Sequence, residues 1–397
     1  MSSQAEQATR ESVGADTTMI QTTAKATSSS RLFFVDNLKV ALIILVVLDH
    51  FAIIYAPITP FYYVESASSD ILAFLALFSF QLFNQAFFMG LFFLISGYFT
   101  PGSFDHKGAK FYLKDRLLRL GIPTLLFMFI LGPMTFPALY QMPEKLTHVT
   151  TPLTWQQYPQ LIGIGPMWFA VMLLLFECGY IAWRLAAKRW ANRVADHAGL
   201  PQFRVIFAFI LLLALTSYLV RIVLPVGKDG LNGSFPTLGY FPQYLSFFLI
   251  GIVAARNNWL RTLPGSMGKR GFWLALVGTL LFFPIVLSSR SAVGNGTWQS
   301  GVYALWDSTF AVGMCLFLIT LFRRFFDSPG RLGKLLSQQA FTVYVIHIPI
   351  IVLLALSLRS IHIEQLLKFG LAAMIGVPLC FFAAYLVRKI PLADRIF

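Results

Sequence analysis

The sequence predicts an all-α, polytopic membrane protein with about ten transmembrane helices and both termini in the cytoplasm. Of its 397 residues, 57% are hydrophobic and only 12% are charged, whereas about 25% of the residues of ordinary soluble domains are charged. The mean hydropathy of +0.70 indicates the same class. The third observation is a series of apolar runs close to the length of about 20 residues that a transmembrane helix needs.

The first 30 residues have a different composition from the rest of the chain. They are rich in Ser, Thr, Ala and Gln and contain no long apolar run. A secretory signal peptide requires an apolar core, so this segment does not fit one. We predict a disordered cytoplasmic tail over residues 1–30, and a transmembrane domain over residues 31–397.

Ten apolar segments follow the tail. The second is longer than one crossing requires, so we expect it to tilt or to break near Asn84 and Gln85. The sixth is the shortest. The segments are approximately 38–56, 71–99, 118–139, 166–186, 204–224, 239–255, 271–288, 302–322, 340–358 and 366–388.

Basic residues alternate along the loops that join these segments. Every second loop carries several Lys and Arg residues, and each of the others carries at most one. Cytoplasmic loops of membrane proteins have an excess of Lys and Arg, which predicts that the basic loops and both termini are cytoplasmic. The same pattern accounts for the net charge of +14, so we expect no nucleic-acid partner. The basic loops are 100–117, 184–204, 256–270 and 323–334.

The first apolar segment contains three ionisable residues on one stripe. Successive helical residues are about 100° apart, so Lys39 and His50 lie within about 20° of the same face and about 16 Å apart along it. Asp36 lies about 40° from that face. Ionisable residues within a span are usually functional, and these could hold two ends of one long substrate. The alternatives are a snorkelling Lys39 and a structural hydrogen bond from His50.

Two arginines at the cytoplasmic start of the third segment form a second candidate site. Arg116 and Arg119 are three residues apart and therefore neighbours on a helix face. The planar guanidinium group binds phosphate in a bidentate manner, which favours an anionic ligand. The alternative is ordinary anchoring of the helix at the cytoplasmic surface.

Four further residues of the later segments are candidates for substrate binding. Trp168 opens the fourth segment, where it is either an interfacial anchor or a site residue. Glu177 lies in mid-span, so it must be paired, protonated or facing a wet cavity. His347 follows Tyr344 by three residues in the ninth segment, as a pocket residue or a structural one. Asp307, near the outer start of the eighth segment, is a weaker candidate.

Five motifs in order along residues 31–390 resemble the acyltransferase 3 family of membrane O-acyltransferases. Members of that family are similar in having about ten spans, a first-helix basic residue followed by a His, and a cytoplasmic Arg-x-x-Arg. Lys39 and His50 match the first pair, and Arg116 and Arg119 match the second. The motifs are RLFFVDNLKVALIILVVLDH, FFLISGYF, KDRLLRLGIP, GPMWF and YVIH.

The resemblance implies transfer of an acetyl or succinyl group from cytoplasmic acyl-CoA to a hydroxyl of a glycan or lipid-linked carbohydrate. Arg116, Arg119 and Lys39 would then hold the phosphates of the donor. His50 would act as a general base or carry the acyl group, and Asp36 would orient a basic neighbour. No metal is expected. The residues assigned to acceptor binding are Trp168, Glu177, Tyr344 and His347.

The resemblance carries four further expectations. The stretch GYFTPGSFDHKGAKFYLKDRLLRLGIP is similar to the glucan-modifying, succinyltransferase-like branch of the family. The expected location is a bacterial inner membrane. No appended extracytoplasmic domain is visible, so the acceptor step falls to the membrane domain or to a separate extracytoplasmic partner. The sequence leaves the oligomeric state open, and the alternative function is a transporter or flippase of a polar or lipid-linked substrate.

Overall fold

The computed structural model of the chain describes residues 31–57, 61–65, 70–135, 162–187, 199–226, 238–288, 294, 296–328, 330–391 and 393–396. The predicted tail over residues 1–30 lies outside this part. The described residues form helices and connecting turns, with nine helices long and apolar enough to cross a membrane. An all-α, polytopic membrane protein is therefore confirmed. The long helices are α1 (Phe33–Tyr55), α2 (Ile71–Arg116), α3 (Trp168–Ala186), α4 (Phe203–Val223), α5 (Phe241–Arg256), α6 (Gly265–Ser288), α7 (Trp298–Phe325), α8 (Arg331–Ser357) and α9 (Gln365–Val387).

Helix α2 folds back on itself, which reconciles nine helices with ten predicted spans. It continues through two π-helical turns to Thr135, a run of 65 residues, about 98 Å if straight. Gly108 interrupts it with φ 73° and ψ 164°, a conformation open to glycine because it has no Cβ. Beyond it, the Tyr112 Oη lies 3.5 Å from the Thr100 Oγ1, although 12 residues of straight helix span about 18 Å. The two arms match the second and third predicted spans.

The sequence predicts that the second segment tilts or breaks near Asn84 and Gln85, and α2 has no break there. Its backbone stays helical through both residues. Their amide side chains instead donate to groups on other helices, namely the Asp49 carboxylate and the Tyr244 hydroxyl. Polar residues inside this span therefore connect helices without disturbing the backbone.

Helices α6 and α7 pack closely through small residues. A Cβ atom added to Gly271 would lie 2.7 Å from the Gly313 carbonyl oxygen, and one added to Gly313 would lie 2.6 Å from that of Gly271. Close backbone approach at small residues is typical of helix pairs in membranes, because dispersion contacts replace the hydrophobic effect there.

Burial separates inner helices from outer ones. Buried residues make up 61% of the most apolar stretch of α1 and 67% of that of α8, but only 28% in α4, α6 and α9. The outer helices expose apolar side chains such as Val223, Leu280 and Leu367, as a surface in contact with lipid requires. Polar residues in the middle of α1 and α8, such as Asp49 and His347, are consequently held inside the bundle.

Candidate active site

Two histidines from distant parts of the chain meet inside the bundle. His50 of α1 and His347 of α8 have ring centroids 4.8 Å apart, with the rings inclined at 72°. The side chain of His347 is fully buried, whereas His50 is half-buried. The sequence singles out both residues, but it assigns them to different functions and does not predict that they are neighbours.

Backbone carbonyls define the tautomer of both imidazoles. The Nδ1 atom of His50 lies 2.7 Å from the Val46 carbonyl oxygen, and that of His347 lies 2.7 Å from the Tyr344 carbonyl oxygen. A carbonyl oxygen only accepts, so each Nδ1 carries a proton and donates it. In a neutral imidazole the Nε2 atom then has a free lone pair. The Nε2 of His347 is buried and has no hydrogen-bond partner among the described residues.

Aromatic side chains enclose the two histidines. The ring of Phe61 lies 5.6 Å from that of His50, and Tyr62, next to it, contacts Phe127 with centroids 6.4 Å apart. The ring of Tyr344 lies 6.3 Å from His347, and its hydroxyl donates to the Pro166 carbonyl oxygen. Exclusion of water by such a wall strengthens electrostatic interactions and protects reactive intermediates from hydrolysis.

Asp49 is directed toward α2, although it is adjacent to His50 in sequence. Its side chain is buried and its Oδ1 atom accepts a hydrogen bond of 3.3 Å from the Asn84 amide. Neighbouring helical residues differ by about 100° in direction, which explains why the two side chains leave α1 on different faces. Asp49 therefore links α1 to α2.

The N-terminal end of α1 holds the predicted basic residue. The Lys39 Nζ lies 3.9 Å from the Asp36 Oδ1 and 4.5 Å from the centroid of the Phe99 ring. Both charged side chains are partly exposed. Lys39 is about 16 Å from His50 along the helix, so the structure preserves the predicted separation between a surface cation and an internal imidazole.

Arg116 and Arg119 have different partners despite their spacing of three residues. The Arg116 Nε lies 3.3 Å from the Glu177 Oε1, and Glu177 is almost fully buried. The Arg119 Nε instead lies 3.2 Å from the Asp115 Oδ1, with 56% of the side chain exposed. Arg119 falls within the π-helical turn Leu117–Gly121, which changes side-chain directions relative to an α-helix. Of the three states predicted for Glu177, the structure shows the paired one.

The sequence analysis did not identify a second group of arginines, which lies around Asp105. Asp105 of α2 lies between Arg184 of α3 and Arg256 of α5, with Nη2 to carboxylate distances of 2.9 Å to each. Each of these arginines looks like ordinary positive-inside charge, and only the fold brings them to one carboxylate. Two guanidinium groups around one carboxylate leave a net positive charge near the predicted donor side.

Trp168 lies at the start of α3 and faces a separate polar and aromatic group. Its ring stacks on Tyr244 with centroids 5.5 Å apart, and the Tyr244 hydroxyl accepts a hydrogen bond of 2.9 Å from Gln85. The neighbouring Phe169 contacts Tyr344 at 6.0 Å. Trp168 is thus connected to the histidine pair through a continuous aromatic path.

Asp307 has a buried partner that the sequence analysis did not identify. The Arg221 Nη2 lies 2.7 Å from the Asp307 Oδ2, and both side chains are almost completely buried. The guanidinium group of Arg221 lies between the rings of Tyr240 and Tyr303, 4.6 and 4.9 Å from their centroids. The signal in the sequence was a carboxylate within an apolar segment, because such a group is usually paired or faces a wet cavity.

Comparison with known proteins shows the family to which the chain belongs. Residues 32–388 match the acyltransferase 3 family, whose description is "Acyltransferase domain". Proteins named "Glucans biosynthesis protein C" from Salmonella paratyphi B, Salmonella dublin and Salmonella enteritidis PT4 are each 25% identical to the chain over 381 residues. The alignments cover 92% of this chain and 94% of each relative. The histidine pair and the basic residues that flank it therefore lie within a domain that establishes the chain as a membrane acyltransferase of the acyltransferase 3 family.

Proposed function

We propose that this acyltransferase moves an acetyl or succinyl group from cytoplasmic acyl-CoA to a hydroxyl of a glycan. The observation that carries the proposal is the His50–His347 pair, in which each Nδ1 is bound to a carbonyl. Each Nε2 is thereby left to act as a base or nucleophile toward a substrate. Acyl transfer to a hydroxyl needs such a group, either to take the proton or to carry the acyl group.

The basic residues on the predicted cytoplasmic side support an acyl-CoA donor. CoA has several phosphate groups at one end and the thioester at the end of a long arm. Exposed Arg119 suits a phosphate, because it is half in solvent and its own carboxylate partner is also partly exposed. Lys39 and the group around Asp105 add positive charge on the same side. The separation of about 16 Å between Lys39 and His50 suits a donor that reaches into the bundle.

Arg116 has a different role in this proposal. Its pairing with buried Glu177 connects the end of α2 to α3, and its guanidinium group also lies 4.9 Å from the Tyr112 ring. We therefore propose that Arg116 positions the segment that binds the donor, and that Arg119 binds the phosphate itself. Glu177, first considered for acceptor binding, would act here through Arg116.

A glucan is the acceptor that we favour within the glycan class. The support comes from the relatives that are named for glucan biosynthesis and from the aromatic path through Tyr344, Phe169, Trp168 and Tyr244. Aromatic rings offer flat apolar surfaces beside hydrogen-bonding groups, here the Gln85 amide, a combination that suits a ligand with both polar and apolar faces. A bacterial inner membrane is the location consistent with bacterial relatives.

The test is an assay of the purified full-length chain with acetyl-CoA or succinyl-CoA and a soluble glucose oligomer. We expect release of free CoA together with transfer of labelled acyl group to the oligomer. Replacement of His50 by Gln should abolish both. The matched control is His362→Gln, because His362 is exposed and lies outside the bundle core. Absence of turnover with either donor in folded protein would overturn the proposed donor and acceptor.

A further inference from the structure

The geometry points to a division of labour between the two imidazoles: His50 carries the acyl group, and His347 takes the proton of the acceptor hydroxyl. This inference rests on the proposed function and adds a second catalytic residue to it. The centroid distance of 4.8 Å allows one reacting group to contact both rings.

The accessible imidazole is suited to carry the acyl group. His50 is half-buried and lies on the same helix face as Lys39, so a donor held at Lys39 reaches it along α1. Its Nε2 has a lone pair because Nδ1 carries the proton and donates it to the Val46 carbonyl oxygen. That same bond retains the proton on Nδ1 when Nε2 is acylated, so the product is a positively charged acylimidazolium, which is a reactive acyl donor.

The buried imidazole is suited to act as the base. His347 is completely buried, and its Nε2 has no hydrogen-bond partner among the described residues. An unsatisfied buried acceptor costs free energy, so its retention in the core indicates a use for the lone pair. Its ring is held in place by the bond from Nδ1 to the Tyr344 carbonyl oxygen, while the Tyr344 hydroxyl is fixed on Pro166.

The two steps balance in atoms and electrons. First, the His50 Nε2 attacks the thioester carbonyl carbon, the C–S bond breaks, and CoA leaves as the thiolate. Second, the acceptor oxygen attacks the same carbon, the C–N bond breaks, and its electron pair returns to Nε2. The hydroxyl proton passes to the Nε2 of His347. His347 then releases this proton to water, and the CoA thiolate takes up one proton from water.

The test measures the two halves of the reaction separately in full-length protein. Without acceptor, wild type should release close to one equivalent of CoA per chain in a rapid burst, and hydroxylamine should trap the acyl group. His347→Gln should keep this burst but transfer to the glucose oligomer at least about 100-fold more slowly, the typical effect of a lost general base. His50→Gln should lose the burst. If His347 had only a structural role, its replacement would impair CoA release and acyl transfer together.

Three results would overturn the inference. They are loss of the burst in folded His347→Gln, transfer by this variant within a few-fold of wild type, and turnover of wild type without any burst. In the last case the proposed function would survive, because CoA release with acceptor reports on it independently. If His347→Gln does not fold, His347→Ala with added imidazole replaces it, and restored transfer supports the inference whereas its absence in folded protein overturns it.

Discussion

The Arg221–Asp307 pair and the His50–His347 pair, both inside the bundle, differ in how completely their polar groups are paired. Arg221 and Asp307 form an ion pair at 2.7 Å, with the cation enclosed between two tyrosine rings. His50 and His347 have ring centroids 4.8 Å apart, and each donates its Nδ1 proton to a backbone carbonyl oxygen. The charges of the first pair connect helices α4 and α7. In the second pair, the two Nε2 lone pairs are available to a substrate in the proposed function.

This difference shows that an ionisable residue within a transmembrane span can have a structural role or a catalytic one. Ionisable groups within a membrane are costly and often functional, and the sequence therefore marks Asp307, Glu177, His50 and His347 alike. The contacts that these residues make in the structure distinguish the carboxylates from the imidazoles. Asp307 and Glu177 each face an arginine, which compensates the charge, whereas neither imidazole faces a countercharge through its Nε2 in the contacts described above.

The largest effect on activity should come from the histidine centre. We expect His50→Gln to lower turnover by at least about 1,000-fold, because the group that contacts the thioester is removed. The melting temperature should change by less than about 3 °C, since no ion pair is broken. Turnover and thermal unfolding in detergent measure the two quantities. Retained activity would remove His50 from the chemistry.

The ion pair should show the opposite behaviour, with a large effect on stability. Arg221→Leu leaves the Asp307 carboxylate buried without its partner, which should cost about 3–5 kcal/mol of unfolding free energy. The double variant Arg221→Met with Asp307→Leu should recover most of this loss, because a neutral pair has no such penalty. Chemical unfolding of wild type and the two variants in detergent measures the loss of stability and its recovery. A double variant as unstable as the single one would argue against an ion-pair role.

The donor side should show a smaller effect. Arg119→Ala should weaken acyl-CoA binding by about 10-fold, as expected for one lost charged hydrogen bond, and leave unfolding unchanged because the side chain is exposed. Lys110→Ala is the control, since it removes a nearby exposed cation of α2. Direct titration with acyl-CoA measures the affinity. Equal losses in the two variants would indicate general electrostatic attraction rather than a phosphate contact at Arg119.

The smallest effect should come from the partly exposed pair on α1. Asp36 and Lys39 are 3.9 Å apart and both reach solvent, so Asp36→Asn should cost less than about 1 kcal/mol of stability. This pair is the direct contrast to Arg221 and Asp307, because solvent already screens its charges. Unfolding of Asp36→Asn beside Arg221→Leu tests that contrast, and a comparable loss in both would contradict the role assigned to burial.

The spans were predictable because lipid imposes a length and a composition on each helix. The nine long helices of the described residues match the ten predicted segments, because α2 folds back at Gly108 and supplies two of them. Distances between residues on one helix were also predictable from the sequence, as the separation of Lys39 and His50 illustrates. The pairing of Glu177 with Arg116 could not be predicted from the sequence, because it forms only after the chain reverses at Gly108.

The sequence by itself determined the membrane class, the helix positions and the family motifs, and it predicted the orientation from loop charges. These properties depend on hydrophobicity and charge along a local stretch of chain. Only the tertiary structure decided which polar groups meet. The proximity of His50 and His347, and the pairing of Arg221 with Asp307, depend on how helices that are distant in the chain pack against one another.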